Sequence, residues 1–206
     1  MAESNTEKAA GIADLMNIAK ADNIFTNEEL DLIIQFGLGG KHSTELFPAS
    51  VGSNEEESAL DTSVRNCSTS RIMSNPDTDW LYDKIFQVVR DGNHMFFRFK
   101  LNGIESLQFT RYDGTEQEQF YKNHVDIVQS TVDSQRKLSF TLQLTDPSEY
   151  DGGDLLFHDI ANEPIVAEKH RGAISIFPSF IRHEVTPVTR GVRHSLVGWI
   201  LGPSFQ

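Results

Sequence analysis

The chain has 206 residues, enough for one generous domain, and 38% of them are hydrophobic, enough for a core. Its formal net charge is −12 and it has no Lys/Arg-rich run, which argues against general nucleic-acid binding because acidic surfaces repel phosphate backbones. The single cysteine, Cys67, excludes an intramolecular disulfide, and no apolar run approaches the ~18–20 residues of a membrane span.

The opening MAESNTEKAA lacks the basic start and apolar run of a secretory signal, so the expectation is a soluble cytoplasmic protein. Residues 1–23 read as a loose tail or weak helix. Thr26 to Glu29 forms a capping-box pattern, and Leu30, Ile33, Ile34 and Phe36 continue it as an amphipathic helix ended by Gly37 to Gly40. Residues 41–62 are polar and predict a long surface loop, and residues 63–73 a short strand. Asn75-Pro76-Asp77-Thr78 starts a second helix with Trp80, Leu81, Ile85, Val88 and Val89 on one face, and Asp91-Gly92-Asn93 is expected to stop it.

From residue 94 the pattern changes to period two. Strands are predicted over 94–101 (Phe97, Phe99 and Leu101 on one face), 106–113, 137–144, 172–179 and 191–201. In 137–144, Leu138, Phe140, Leu142 and Leu144 oppose Ser139, Thr141 and Gln143. A strand face of Ser, Thr and Gln suits the wet interior of an open barrel or sandwich that holds a polar ligand. Two helices followed by many short strands make the fold α+β, mainly β.

In an extended backbone, His124 and Asp126 point to one side and can converge on one ion. Two His plus one carboxylate is the facial arrangement of non-haem iron(II) oxygenases. On its own H-x-D is a weak signal, because short motifs match freely and a surface pair explains it as well. The third ligand has six candidates: His42, His94, His158, His170, His183 and His194. His183 stands out because it follows the end of a strand at Phe177-Pro178-Ser179. Ten residues later comes Arg193, a fixed cationic fork suited to gripping a carboxylate. Arg193, Ser195, Val197 and Trp199 share one strand face, so His194 points the other way and reads as a packed or surface histidine.

The ordered pieces Gln108-Phe109-Thr110-Arg111-Tyr112-Asp113-Gly114, Tyr121-x-x-His124-x-Asp126, Leu138-Ser139-x-Thr141-x-Gln143-Leu144 and Tyr150-Asp151-Gly152-Gly153-Asp154-Leu155 continue through Gly172 to Pro178. They end with His183-x-Val185-x-Pro187-Val188-x-x-Gly191-x-Arg193 and Trp199. This half of the chain resembles the prolyl 4-hydroxylase branch of the iron(II)/2-oxoglutarate dioxygenase superfamily. The resemblance implies one domain over 1–206: a loose tail (1–23), helical support with first strands (24–105), and a double-stranded β-helix, or jelly roll, over 106–203. It implies catalytic iron ligands at His124, Asp126 and His183, and places Arg193 on the distal carboxylate of 2-oxoglutarate. Tyr112, Gln143 and Thr141 (or Ser139) are then further polar partners of that co-substrate, and Trp199 lines the pocket.

The cofactors implied are Fe(II), 2-oxoglutarate and O2, with ascorbate supporting activity. The partner implied is a proline-containing peptide or protein, with no nucleic acid and no membrane. The same chemistry on another side chain or a small molecule is the nearest alternative. A zinc hydrolase with the same ligands and a silent β-barrel binding module are the others. The loop around residues 41–70, with 113–123, is the candidate substrate lid. Gly152-Gly153 reads as a tight turn, and the nearby Asp146, Asp151 and Asp154 lack calcium-loop spacing.

Overall fold

The computed structural model describes residues 15–50, 60–131 and 133–205. Helix α1 (Asn27–Gly37) starts at Thr26, whose hydroxyl accepts from the Glu29 N–H while the Glu29 carboxylate accepts from the Thr26 N–H. The capping box therefore forms as its sequence requires. Helix α2 (Asp79–Gly92) buries Leu81, Ile85, Val88 and Val89 and leaves Trp80 half-buried.

The α-helix ends within Asp91-Gly92-Asn93 as expected, with Asn93 as its C-cap, but the chain does not leave helical backbone there. Gly92 keeps helical dihedrals, and a Cβ there would lie 3.2 Å from the Ile176 side chain, so this glycine serves close packing. The chain runs on through a π-helical turn, Asn93–Phe97, and leaves it at Arg98 with φ 57°. The Asn93 side chain bonds both backbone groups of Phe99 across this bend. Residues 94–101 are thus not the strand that the alternation of Phe97, Phe99 and Leu101 suggested. Phe97 is buried in the core by the turn itself.

In chain order the strands begin with β1 (Ala19–Ala21), β2 (Phe47–Pro48), β3 (Arg65–Asn66), β4 (Ser68–Ile72) and β5 (Gly103–Ile104). Next come β6 (Leu107–Asp113), β7 (Gln119–His124), β8 (Gln129–Thr131), β9 (Ser134–Gln143) and β10 (Asp151–Gly152). The last are β11 (Leu155–Phe157), β12 (Ile165–Val166), β13 (Ile174–Pro178), β14 (His183–Arg190) and β15 (Val192–Pro203). The major sheet runs β1-β13-β9-β15-β6-β4-β2 and the minor one β12-β11-β14-β7-β3. Every pairing is antiparallel, as a double-stranded β-helix requires, and the fold is mainly β with supporting helices.

Three expectations are corrected by this topology. Residues 19–21 of the supposed tail pair with β13 as an edge strand, while residues 1–14 lie outside the described residues. The polar loop 41–62 contains β2 and a bridge from Ser43 to Ile72, with residues 51–59 outside the described residues. The single strand over 63–73 is two strands in different sheets: β3 pairs with β7 and β4 with β6.

The major sheet divides its side chains by parity. Leu107, Phe109, Leu138, Phe140, Leu142, Leu196 and Ile200 pack with Leu30, Ile33, Leu81 and Ile85 from the two helices. The opposite parity of the same strands carries Gln108, Thr110, Thr141, Arg193 and Ser195, which line a cavity facing the minor sheet. The helices seal one face of the sheet, and the site occupies the other. Among the described residues no helix is long and apolar enough to cross a membrane.

Candidate active site

β7 and β14 lie side by side with His124 directly opposite His183. The chain turns out of β7 so that the Asp126 N–H donates to Ser179 O at 2.9 Å, which brings its carboxylate between the two imidazoles. His124 Nε2 is 3.5 Å from Asp126 Oδ1, and His183 Nε2 is 3.4 Å from Asp126 Oδ2. The three donor atoms all lie within 4.8 Å of one another.

Each ring is held from behind. His124 Nδ1 is 2.8 Å from Lys122 O, and His183 Nδ1 is 2.9 Å from Ile181 O. A carbonyl can only accept, so Nδ1 carries the proton in both rings and the Nε2 lone pairs converge on one point. That is the tautomer a metal needs, fixed by backbone groups. Tyr121 stacks on His124 with ring centroids 3.6 Å apart, and Phe177 meets His183 edge-on at 4.8 Å.

The electrostatics match a ligand cluster. Burial alone would raise the Asp126 carboxyl, but the proximity of His183 and then His124 outweighs it and holds the group well below the usual carboxylate range. Burial, against the pull of Asp126, lowers His124; at His183 the pull of Asp126 exceeds burial and raises it. Asp126 also accepts from the Ser139 hydroxyl at 2.8 Å, and Ser139 lies 3.0 Å from the Ser179 hydroxyl. Ser139 was expected as a stand-in partner for a co-substrate, but it orients the carboxylate instead. Ser139→Ala should therefore weaken metal binding roughly 10–100-fold, the usual cost of losing an outer-shell partner, with little change in thermal stability. Metal titration by calorimetry beside a melting curve checks this.

The other end of the cavity is built on β15, β6 and β9. Arg193 is 1% exposed and lies directly opposite Tyr112, its guanidinium carbon 5.4 Å from the phenol ring centroid. Its Nη2 donates to Gln143 Oε1 at 3.0 Å, and Nη1 reaches Ser195 Oγ at 3.4 Å. Its Nε is buried without a partner, and no carboxylate among the described residues pairs with it. Burial pushes the Tyr112 phenol up, so it stays a neutral donor.

Gly153 makes room for this arginine. Its φ is +63°, and a Cβ there would lie 2.8 Å from Arg193 Cδ and 2.8 Å from Val188 Cγ2. The Gly152-Gly153 turn is thus also a packing requirement of Arg193. Gly153→Ala should cost about 1–2 kcal/mol for a left-handed alanine and also displace the guanidinium. The expected result is a lowered Tm together with weaker binding of a dicarboxylate; a lowered Tm with unchanged binding would limit Gly153 to the turn.

Between the two ends lies a cavity of about 570 Å³. His124, Asp126, His183, Arg193, Tyr112, Thr141 and Trp199 all line it, and Gln143 reaches it through Arg193. His194 lies on the opposite face against Phe109, with ring centroids 5.2 Å apart. The expected lid is not one loop: Phe47, Ser50, Arg65 and Thr69 line the cavity, but β2, β3 and β4 tie that segment into both sheets. Residues 119–123 of its second part belong to β7.

Sequence reasoning missed Arg65, Arg71 and Arg136, which also line the cavity. Alternation within β4 was the available signal for Arg71, since Thr69 shares its parity and lines the cavity too. Arg136 lies on β9 and pairs with Glu105 at 2.7 Å while stacking on Trp199 at 3.8 Å.

Comparison with known proteins agrees with this geometry. The sequence pattern of the 2OG-Fe(II) oxygenase superfamily matches residues 107–201. A PKHD-type hydroxylase of Synechococcus sp. (strain CC9311) is 45% identical over 87 residues, covering 42% of this chain and 38% of that protein. A PKHD-type hydroxylase of Paraburkholderia xenovorans (strain LB400) is 35% identical over 103 residues, covering 48% and 44%. The match thus spans well under half the length of these curated relatives.

Among solved structures, a Pseudomonas putida prolyl-4-hydroxylase superposes with TM-score 0.66 at 20% identity, over 89% of this chain and 91% of that one. A Trichoplax adhaerens prolyl hydroxylase in complex with a hypoxia inducible factor peptide fragment gives 0.65 at 14% identity, over 92% and 88%. At such identities the likeness establishes the fold: a double-stranded β-helix of the prolyl-hydroxylase shape.

Proposed function

We propose, from the match of residues 107–201 to the 2OG-Fe(II) oxygenase superfamily, that the protein is an iron(II)- and 2-oxoglutarate-dependent dioxygenase that hydroxylates a prolyl residue of a peptide or protein. One observation carries this reading. A buried guanidinium without an anionic partner faces a His/Asp/His cluster across a single cavity. A lone buried cation is costly unless a ligand completes it, and a dicarboxylate has one end for each feature. The names of the structural neighbours, prolyl hydroxylases of Pseudomonas putida and Trichoplax adhaerens, favour a prolyl substrate.

The donor set fits iron(II): two neutral imidazoles and one carboxylate held on one side of a point, with the cavity open on the other. His124, Asp126 and His183 would hold the ion. Bound there, iron with 2-oxoglutarate supplies the oxidising power. The balanced reaction takes 2-oxoglutarate, dioxygen and a C–H bond to succinate, carbon dioxide and an alcohol. Arg193 grips the distal carboxylate of the co-substrate, oriented by Gln143 and Ser195. Tyr112 donates its phenolic proton toward the co-substrate, and Thr141 adds a hydroxyl to the same wall. Ser139 keeps Asp126 turned to the metal. Trp199 and Val197 exclude water from the reacting region. A hydrolase using zinc on the same ligands needs a separate general base, and among the described residues Asp126 is the only carboxylate lining the cavity.

Succinate release from 2-oxoglutarate with iron(II), ascorbate and proline-containing peptides tests the reading. It should be present in the wild type and lost in Asp126→Ala; equal release from both proteins, or none from either, overturns it.

A further inference from the structure

Four guanidinium groups line the cavity, in a chain whose formal net charge is −12. Two have an assigned task. Arg193 awaits the co-substrate, and Arg136 is neutralised by a two-pronged contact with Glu105 at 2.8 and 2.7 Å. Arg65 and Arg71 are different. Arg65 donates to Ser50 O at 3.3 Å and to Cys67 Sγ at 3.4 Å, and stacks on Tyr121 at 4.5 Å. Arg71 donates to Ser106 O at 3.3 Å and sits 5.4 Å from the Trp199 ring. Neither forms an ion pair among the described residues.

The charges of a full site sharpen this imbalance. A divalent metal with Asp126, and a dicarboxylate with Arg193, cancel one another; Arg136 cancels Glu105. Among the described residues the charges of Arg65 and Arg71 remain, both half-buried and both lining the cavity. Burial first, and then the neighbouring charge of Arg136, push the Arg71 guanidinium below its ordinary value, and the nearby Glu105 carboxylate, already paired with Arg136, does not offset them. Chains that merely need solubility place arginines in water; here they line the one wall where each costs most. Phe47 and Val125, both exposed, add apolar surface to the same cavity.

We propose that Arg71, assisted by Arg65, selects the substrate through a carboxylate: the segment oxidised is an acidic peptide, with an Asp or Glu adjoining the target prolyl residue. This rests on the reading of the site as a prolyl-directed oxygenase. Arg71 is a planar fork suited to a carboxylate, and its place beside Trp199 puts charge recognition next to the apolar wall that would meet the prolyl ring.

The test uses the full chain with iron(II), 2-oxoglutarate and paired proline peptides that differ only in Asp against Asn, and Asp against Lys, beside the proline. Formation of the coloured iron(II)–2-oxoglutarate complex without oxygen is recorded first, because it reports metal and co-substrate binding separately from substrate choice. The wild type should prefer the Asp peptide by about tenfold or more in kcat/KM, carried mainly in KM, the size of one partly buried charge pair. Arg71→Gln should erase that preference while keeping the coloured complex, Arg71→Lys should retain part of it, and Arg71→Glu should turn it toward the Lys peptide. Equal use of Asp and Asn peptides overturns the proposal, as does a preference that survives Arg71→Gln. So does a coloured complex with no peptide oxidised, which leaves the oxygenase reading standing. Failure of the complex to form overturns both.

Discussion

Replacing Arg193 with Gln should remove the thermal stabilisation expected from 2-oxoglutarate on the metal-loaded protein. A ligand at about 100-fold over its Kd stabilises the folded state by about 2.7 kcal/mol, which for a chain of this size raises Tm by roughly 5–10 °C. In the variant that rise should vanish, because the distal carboxylate would enter a buried site with no cation to meet it. Truncating one member of a buried charge pair costs about 2–5 kcal/mol, so affinity should fall roughly 30-fold or more. Arg193→Lys keeps the charge and loses the fork, so it should recover part of the effect. The ligand-free protein should not lose much stability, since Arg193 forms no ion pair among the described residues and its Nε has no partner there. A dicarboxylate shift in Arg193→Gln equal to the wild type would remove Arg193 from the co-substrate site.

The second large effect belongs to His183→Ala. His183 is 6% exposed, sits opposite His124 across the β7–β14 ladder, and shares Asp126 with it. Removing an outer-shell partner of a metal costs roughly 10–100-fold in affinity, and loss of a ligand should exceed that range. Titration with manganese(II), which takes similar donors without oxygen chemistry, should give a binding curve for the wild type and none for the variant at matched concentrations. Circular dichroism should show the fold retained, because β14 is fixed by its neighbours on both sides. Wild-type affinity in the variant would move the metal elsewhere.

The parts of the fold legible in the sequence are those written in simple alternation. β9 announces itself because Leu138, Phe140 and Leu142 pack with the helices while Thr141 lines the cavity and Ser139 and Gln143 bond the cavity residues Asp126 and Arg193. β15 does the same, and its parity separated Arg193 from His194 correctly. Residues 94–101 alternate just as cleanly and are not a strand. After α2 ends at Gly92 the chain continues as a π turn, which buries Phe97 by a route that period two does not describe. β3 and β4 were merged because nothing in a one-dimensional pattern tells that the chain crosses from one sheet to the other at Cys67.

The site was legible where spacing carries geometry. Arg193 follows from strand parity; His124 and Asp126 were paired by extended spacing although Asp126 lies in the turn after β7; His183 was singled out by its place after a strand end and by the family resemblance. What stayed hidden were groups whose role depends on a partner far along the chain. Ser139 reads as one more polar residue until the turn after β7 brings Asp126 to it. Arg71 and Arg136 read as surface charge until Trp199 comes between them. Gly153 reads as a turn until Arg193 packs against it.

The most direct test of the oxygenase assignment is the fate of molecular oxygen of the heavy isotope. Incubated with iron(II), 2-oxoglutarate, ascorbate and the acidic prolyl peptides, the wild-type protein should release succinate carrying one heavy oxygen atom and leave the other on the peptide. Unlabelled succinate, or none from protein that binds the metal, would contradict the assignment and leave the His124, Asp126 and His183 cluster to another chemistry.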